Sequence, residues 1–285
     1  MTRQPLAARH AEDLLGSAVV ATAPVAGGDT ATATKLRLSN GTTAIMKTIA
    51  HPPAGFFAAE ARGLRWLAEA GGAAVPEVLA VDEGCLIIRW VEPGKASAEA
   101  AAAFGQALAI THQAGAPSFG GTHDGFIGPL PLPNRPTETW AEFYAVRRVL
   151  PYLKLARDRG HVTDEDAAAV EAVIGKLNDL VPAEAPARLH GDLWNGNALW
   201  GQDGQVWLID PAAYGGHREI DLAMLSLFGM PHLQRVFDTY NEASPLAPGW
   251  EDRMALHQLF PLLVHAANFG GGYGARAGEA ARRYA

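Results

Sequence analysis

The sequence predicts an α+β fold in two lobes: a small β-rich N-terminal lobe with one main helix, residues 1–90, and a larger, mostly helical C-terminal lobe, residues 91–285. Three observations carry this. KLRLSNGTTAIMK (35–47) alternates apolar and polar residues around Asn40-Gly41, as strands joined by a two-residue turn do. Residues 53–71 repeat apolar side chains at helical spacing. Beyond VEPGKAS (91–97), a linker with Pro and Gly, nearly every segment has a helical pattern.

The elements follow in order. MTRQPLAARHAEDLLG mixes charge into its apolar positions and reads as an amphipathic helix rather than a signal peptide. Residues 18–49 read as strands, broken by the small loop VAGGDT (25–30). Helix 53–71 places Phe57, Glu60, Leu64 and Leu67 on one face and ends at Gly71-Gly72. CLIIRW (85–90) is a short buried strand, and ASAEAAAAFGQALA (96–109) is an Ala-rich helix. GGTHDGFIGPLPLPNRP (120–136) is a Gly/Pro loop whose length suggests a functional or covering role. ALWGQDGQVWLID (198–210) reads as a hairpin with Asp203-Gly204 at its tip, which sets Trp200 opposite Trp207 and Asn197 opposite Asp210. FGGGYG (269–274) has no strand before it, so it reads as a helix end and not as a nucleotide loop.

Composition narrows the function classes. An apolar fraction of 48% and a charged fraction of 19% describe a globular chain. A net charge of -7 argues against a broad nucleic-acid surface. No apolar run is long enough to span a bilayer, so no membrane is expected. The single cysteine, Cys85, fits a reducing, cytoplasmic setting. Oligomeric state is left open.

Two charges stand on apolar stripes. Lys47 shares a strand face with Ile45 and Ile49, and Glu60 lies on the buried face of the next helix. Burying either alone is costly, so the two are expected to face each other. A strand Lys paired with a helix Glu orients nucleotide phosphates in kinases. LHGDLWNGN (189–197) then sets Asp192 and Asn197 at the Asp-x-x-x-x-Asn spacing of a kinase catalytic loop. In that chemistry the Asp accepts the proton of the attacking hydroxyl and the Asn reaches a magnesium ion on the phosphates. Gly191 and Gly196 are expected to let the backbone turn tightly. Side by side at the hairpin's open end, Asn197 and Asp210 form an oxygen pair suited to Mg2+. A metal hydrolase built on His190, Asp192 and Asp210 lacks a second His at helical spacing and a Cys cluster. No GxSxG elbow and no GxxxxGK[ST] loop is present.

These residues resemble the fructosamine (ketosamine) kinase family, relatives of the aminoglycoside phosphotransferases with a protein-kinase-like fold. The matching stretches are IMK at Lys47, FFAAE ending at Glu60, residues 127–160, LHGDLWNGN, IDPAAYGGHREIDLAMLSLFG and APGWEDRMALHQLF. The resemblance implies ATP-dependent phosphorylation of a sugar hydroxyl on a glycated amine, either a small molecule or a glycated protein lysine. It implies a nucleotide-binding first lobe and a catalytic, acceptor-binding second lobe. Matching positions make Asp192 the base, Asn197 and Asp210 the magnesium ligands, and Lys47 with Glu60 the phosphate-orienting pair. Arg89, Trp90 and Val91 become the hinge that meets adenine, and Gly27 and Gly28 part of the nucleotide loop. Asp221 is expected to brace the catalytic loop. Trp194 either stacks on the acceptor or anchors the loop, and His217 and Arg218 either meet acceptor or phosphate or form a structural turn. Two departures stand out. Asp29 occupies a loop position where many members have Cys, and Leu132 stands where similar bacterial sequences have Gln. Leu132 and VHAANFGGGY (264–273) are expected near the acceptor. An aminoglycoside acceptor, or a nucleotide-binding pseudokinase, remains an alternative reading.

Overall fold

Alternation along the strands builds the first lobe. A computed structural model describes residues 6–26 and 31–284; Gly27, Gly28 and Asp29 lie outside them. Helix α1 (Leu6–Leu15) precedes strands β1 (Val19–Val25), β2 (Thr32–Leu38) and β3 (Thr43–Thr48). Helix α2 (Phe56–Ala68), β4 (Val78–Val81) and β5 (Cys85–Arg89) complete an antiparallel sheet of order β1-β2-β3-β5-β4. One sheet face, with Leu36, Ala44, Met46, Cys85 and Ile87, packs on Ala8 and Ala11 of α1. The opposite face presents Leu86 and Ile88 to Phe57, Ala61 and Leu64 of α2. Period-two alternation therefore turns Lys47, between Met46 and Thr48, toward α2.

The turn after β2 differs from the expected two-residue form. Arg37 pairs with Thr43 and Leu36 with Ala44, so the loop holds three residues, Ser39-Asn40-Gly41. Gly41 has φ 86°, the left-handed third position that a three-residue hairpin loop requires. The short edge strand β4, with no buried/exposed alternation, gave no sequence signal.

The second lobe is mainly helical. It begins with α3 (Ala98–Gln113) and a small hairpin, β6 (Gly125–Ile127) with β7 (Leu130–Leu132). Helix α4 (Trp140–Phe143) runs through a π-helical turn (Tyr144–Val149) into α5 (Leu150–Asp158), followed by α6 (Asp164–Ile174) and α7 (Leu177–Leu180). Four short strands follow: β8 (Ala187–Leu189), β9 (Ala198–Trp200), β10 (Val206–Leu208) and β11 (Tyr214–Gly216). β9 pairs with β10, and β8 with β11. Helices α8 (Glu219–Phe228), α9 (Leu233–Ala243), α10 (Trp250–His257), α11 (Leu259–Phe269) and α12 (Tyr273–Arg282) close the lobe. Among the described residues no helix is long and apolar enough to cross a membrane.

Residues 120–136 are anchored to both lobes and carry the β6–β7 hairpin. Ile127, Leu130 and Leu132 are buried in the helical core, and Phe126 packs 5.1 Å from Phe56 of α2. The fully buried Arg148 holds this segment from the π-helical turn, donating to Pro133 O at 2.7 Å and Asn134 Oδ1 at 2.6 Å. Pro151 has no N–H for the carbonyl of Arg147, and Arg148 Nη1 reaches that oxygen at 3.1 Å. Leu132 is 0% exposed, so it belongs to the core and not to an acceptor surface.

Candidate active site

The LHGDLWNGN segment leaves β8 and is held from below by one carboxylate. Asp221, in the first turn of α8, accepts the amide N–H of His190 at 2.8 Å and of Gly191 at 2.9 Å. His112 Nε2 lies 3.2 Å from the same carboxylate, and His112 Nδ1 is 2.8 Å from Tyr240 OH. Burial alone would push the Asp221 carboxyl up; His112 and the amide bonds more than offset this and hold it below the usual range. Gly191 has φ 83°, and a Cβ there would meet Ala212 O at 2.2 Å, so both conformation and space demand glycine. Gly196 serves differently. Its φ is not positive; a Cβ would collide with the indole of Trp194 at 2.3 Å.

His190 is fully committed. The Asp192 amide donates to its Nδ1 at 3.2 Å, which assigns the ring hydrogen to Nε2, donated to Ile209 O at 2.8 Å. Burial lowers its pKa, so it is a neutral strut between the loop and the β9–β10 hairpin, with no nitrogen left for a metal. Loss of Asp221 leaves two buried amides without an acceptor. Asp221→Ala is therefore expected to lower stability by about 3–5 kcal/mol, read from urea unfolding, and to abolish turnover at temperatures where the fold persists.

The hairpin register differs from expectation by one residue. Trp200 pairs with Val206 and Leu199 with Trp207, around a three-residue loop, Gln202-Asp203-Gly204, with Gly204 at φ 79°. Ile209, not Asp210, therefore faces Asn197, and its N–H donates to Asn197 O at 3.0 Å. Asp210 leaves the ladder with φ 54°, a left-handed conformation that Asp tolerates better than most residues.

That turn carries Asp210 to Lys47. The Lys47 ammonium contacts Asp210 Oδ1 and, at 2.5 Å, Glu60 Oε1. Burial would lower its pKa, but the two carboxylates raise it above its ordinary value, so it stays charged. Across the cleft, Asn197 Nδ2 donates to Asp192 O at 2.8 Å and to Asp192 Oδ2 at 3.1 Å. Desolvation first, and then the negative charge of Asp210, pushes the Asp192 carboxyl up to about 7. Asn197 Oδ1 and Asp210 Oδ2 have no hydrogen-bond partner among the described residues. Hard oxygen donors without sulfur or ring nitrogen fit Mg2+.

The segment expected to form the hinge, Arg89 to Val91, lies at the end of β5. The N–H groups of Arg89 and Trp90 are taken by Glu77 O and Thr43 O, and no backbone partner meets that of Val91 among the described residues. The Arg89 side chain pairs with Glu77, while Trp90 donates to Glu92 at 2.7 Å and lies 4.0 Å under Lys35 Nζ. A groove of about 480 Å³ opens beside them, lined also by Pro76 and Trp207.

His217 and Arg218 are placed in the scaffold instead of the cleft. His217 is 1% exposed and stacks on His257 at 5.1 Å; burial pushes its imidazole down to about 3. Arg218 spends its donors on Glu184, on Ser244 O and Oγ, and on Pro245 O. Buried Glu219, between these two and α10, takes a bidentate contact from Arg253 at 2.6 and 2.9 Å. The sequence reading missed His112, whose only signal was a polar pair, Thr111-His112, ending the Ala-rich helix.

Comparison with known proteins identifies the family. The sequence profile of the fructosamine kinase family matches residues 4–284. A probable ketoamine kinase of Thermus thermophilus is 39% identical over 230 residues, covering 80% of this chain and 82% of that protein. The crystal structure of a putative fructosamine-3-kinase from Thermobifida fusca superposes with a TM-score of 0.93 at 48% identity, covering 98% of both chains. A macrolide 2'-phosphotransferase from Brachybacterium faecium, at 16% identity and TM-score 0.62 over 98% and 96% of the two chains, shares the fold alone. With the whole chain matched, the protein belongs to the fructosamine kinase family, ATP-dependent phosphotransferases that act on a sugar hydroxyl of ketosamines.

Proposed function

We propose that the protein uses Asp192 to deprotonate a sugar hydroxyl of a fructosamine or ribulosamine as that oxygen attacks the γ-phosphorus of ATP, with ADP leaving. The observation that carries this is the continuous series Glu60–Lys47–Asp210 facing Asp192–Asn197. Lys47, aligned by Glu60, binds phosphate oxygens. Asn197 and Asp210 hold Mg2+ through Asn197 Oδ1 and Asp210 Oδ2. When bound, the ion neutralises charge on the phosphates. The Val91 N–H supplies the hinge donor to adenine, with Arg89 and Trp90 holding the hinge through their bonds to Glu77 and Glu92. A carboxyl poised near neutrality suits a general base, since it accepts a proton readily and ionises at working pH. The acceptor is a small glycated amine or a glycated protein lysine, in the cytoplasm.

The test is magnesium- and ATP-dependent phosphorylation of a fructosyl-amine, a ribulosyl-amine and kanamycin, with Asp192→Asn as the blank. Ketosamine turnover that disappears in the blank is the expected result. Turnover of kanamycin alone would overturn the acceptor assignment and leave the catalytic residues in place. ATP binding without turnover of any acceptor would favour the pseudokinase reading.

A further inference from the structure

We infer that an aromatic surface running from the catalytic loop into the C-terminal helices receives the amine-bearing end of the acceptor, and that it selects sugar adducts of arylalkyl amines such as benzylamine over adducts of lysine. This rests on the ketosamine reading above. Trp194 stands two residues past Asp192 and is 36% exposed. Its ring meets Phe228 edge-on at 5.9 Å, and Phe228 lies 5.0 Å from His265. His265 in turn lies 5.7 Å from Phe269 and 5.1 Å from Tyr273.

The helix ends explain why Phe228 is only half-buried and Phe269 is exposed. Phe228 closes α8 and Phe269 closes α11, and a positive-φ glycine, Gly229 or Gly270, turns the chain away immediately after each. Each phenylalanine is left at an open helix end, and Phe269 is 59% exposed. A run of rings that is exposed at both Trp194 and Phe269 and half-buried between them, beside a reactive carboxylate, fits a binding surface. Its first ring, Trp194, sits on the same loop as Asp192, so the surface is assigned to the acceptor.

The ring faces define the ligand. The amine nitrogen of a ketosamine is protonated near neutrality, and its cation is drawn to an aromatic face. Beyond that nitrogen, an aromatic substituent stacks on the remaining rings with two torsions to fix, whereas a lysine stem has four and loses more freedom. Arg276 lies over Tyr273 at 5.6 Å, so the far end of the surface is cationic and disfavours polycationic acceptors.

Steady-state kinetics on two adducts of one sugar, fructosyl-benzylamine and Nε-fructosyl-lysine, tests this with wild type and Phe269→Ala. Phe269 is exposed enough that its truncation should leave the melting temperature unchanged, which is checked in parallel. The wild type is expected to favour the benzylamine adduct in kcat/KM by about 10-fold. Phe269→Ala is expected to remove most of that preference through KM for the benzylamine adduct. Equal efficiencies in the wild type, or an unchanged ratio in the variant, would overturn the surface assignment while the kinase reading stands. Absence of Asp192-dependent phosphorylation of both adducts would overturn the two together.

Discussion

Asp192→Asn is expected to lower kcat on a ketosamine by about 10²- to 10⁴-fold, the range for removing a general base, and at the same time to stabilise the protein. The first effect follows because Asn cannot take the hydroxyl proton, while its size preserves the packing around Asn197. The second follows from linkage. The Asp192 carboxyl sits at about 7 in the folded protein against an ordinary value of 3.8. Between those two values the folded chain keeps a proton that the unfolded chain has released. Wild-type stability therefore falls as pH rises through this window. The amide has no charge to desolvate, so the variant should melt higher than wild type, with a gap that is small at pH 4 and widest above pH 7. Each kcal/mol relieved raises the melting temperature by roughly 2–4 °C in a chain of comparable size. Melting curves at pH 4, 6 and 8 without ligand read this directly. A gap that narrowed with rising pH would contradict the strained, desolvated carboxylate.

Lys47→Met is expected to act in the opposite direction on stability and in the same direction on rate. The ammonium is the shared partner of Glu60 and Asp210, whose side chains are 12% and 36% exposed. Removing it leaves Glu60 ionised and nearly buried. Breaking one side of a buried ion pair costs about 3–5 kcal/mol, with the lower end expected here because Asp210 reaches solvent. Glu60, without its cation, escapes the penalty by taking up a proton, so the loss should shrink as pH falls toward 5. Loss of one preorganised charge at the phosphates lowers kcat by about 10²- to 10³-fold. Urea unfolding at pH 5 and pH 8, together with single-turnover rates at saturating ATP, separates the two effects. An unchanged rate with saturating nucleotide would remove Lys47 from the phosphate site and leave it a structural cation.

Charge placed where periodicity demands apolar side chains was the most informative local signal. Lys47 and Glu60 each broke an apolar stripe, and their contact at 2.5 Å is the simplest way to keep both ionised. The Asp221 brace was an implication of the family resemblance, and the structure supplies its physical reason, two loop amides that its carboxylate accepts. His217 and Arg218 were legible only as polar residues in a motif. Their burial against Trp140, His257 and Glu184 depends on helices α4 and α10 and on the segment before β8, which local pattern does not position.

The hairpins mark the limit most clearly. Asn40-Gly41 and Asp203-Gly204 both announce turns, and both turns exist. Each loop nevertheless takes a third residue, with glycine in the left-handed final position. One residue of register moved Ile209 opposite Asn197 and left Asp210 free to turn out of the ladder toward Lys47. Sequence alone determined the α+β class, the long helices and strands of the first lobe apart from β4, the paired buried charges and the Asp-x-x-x-x-Asn loop, because these follow from periodicity and from the cost of burying charge. The tertiary structure alone decided which carboxylate Lys47 shares with Glu60, which polar residues became scaffold, and where a run of aromatic rings meets the cleft. These depend on how separate elements pack, and desolvation and hydrogen-bond satisfaction are settled only when those surfaces meet.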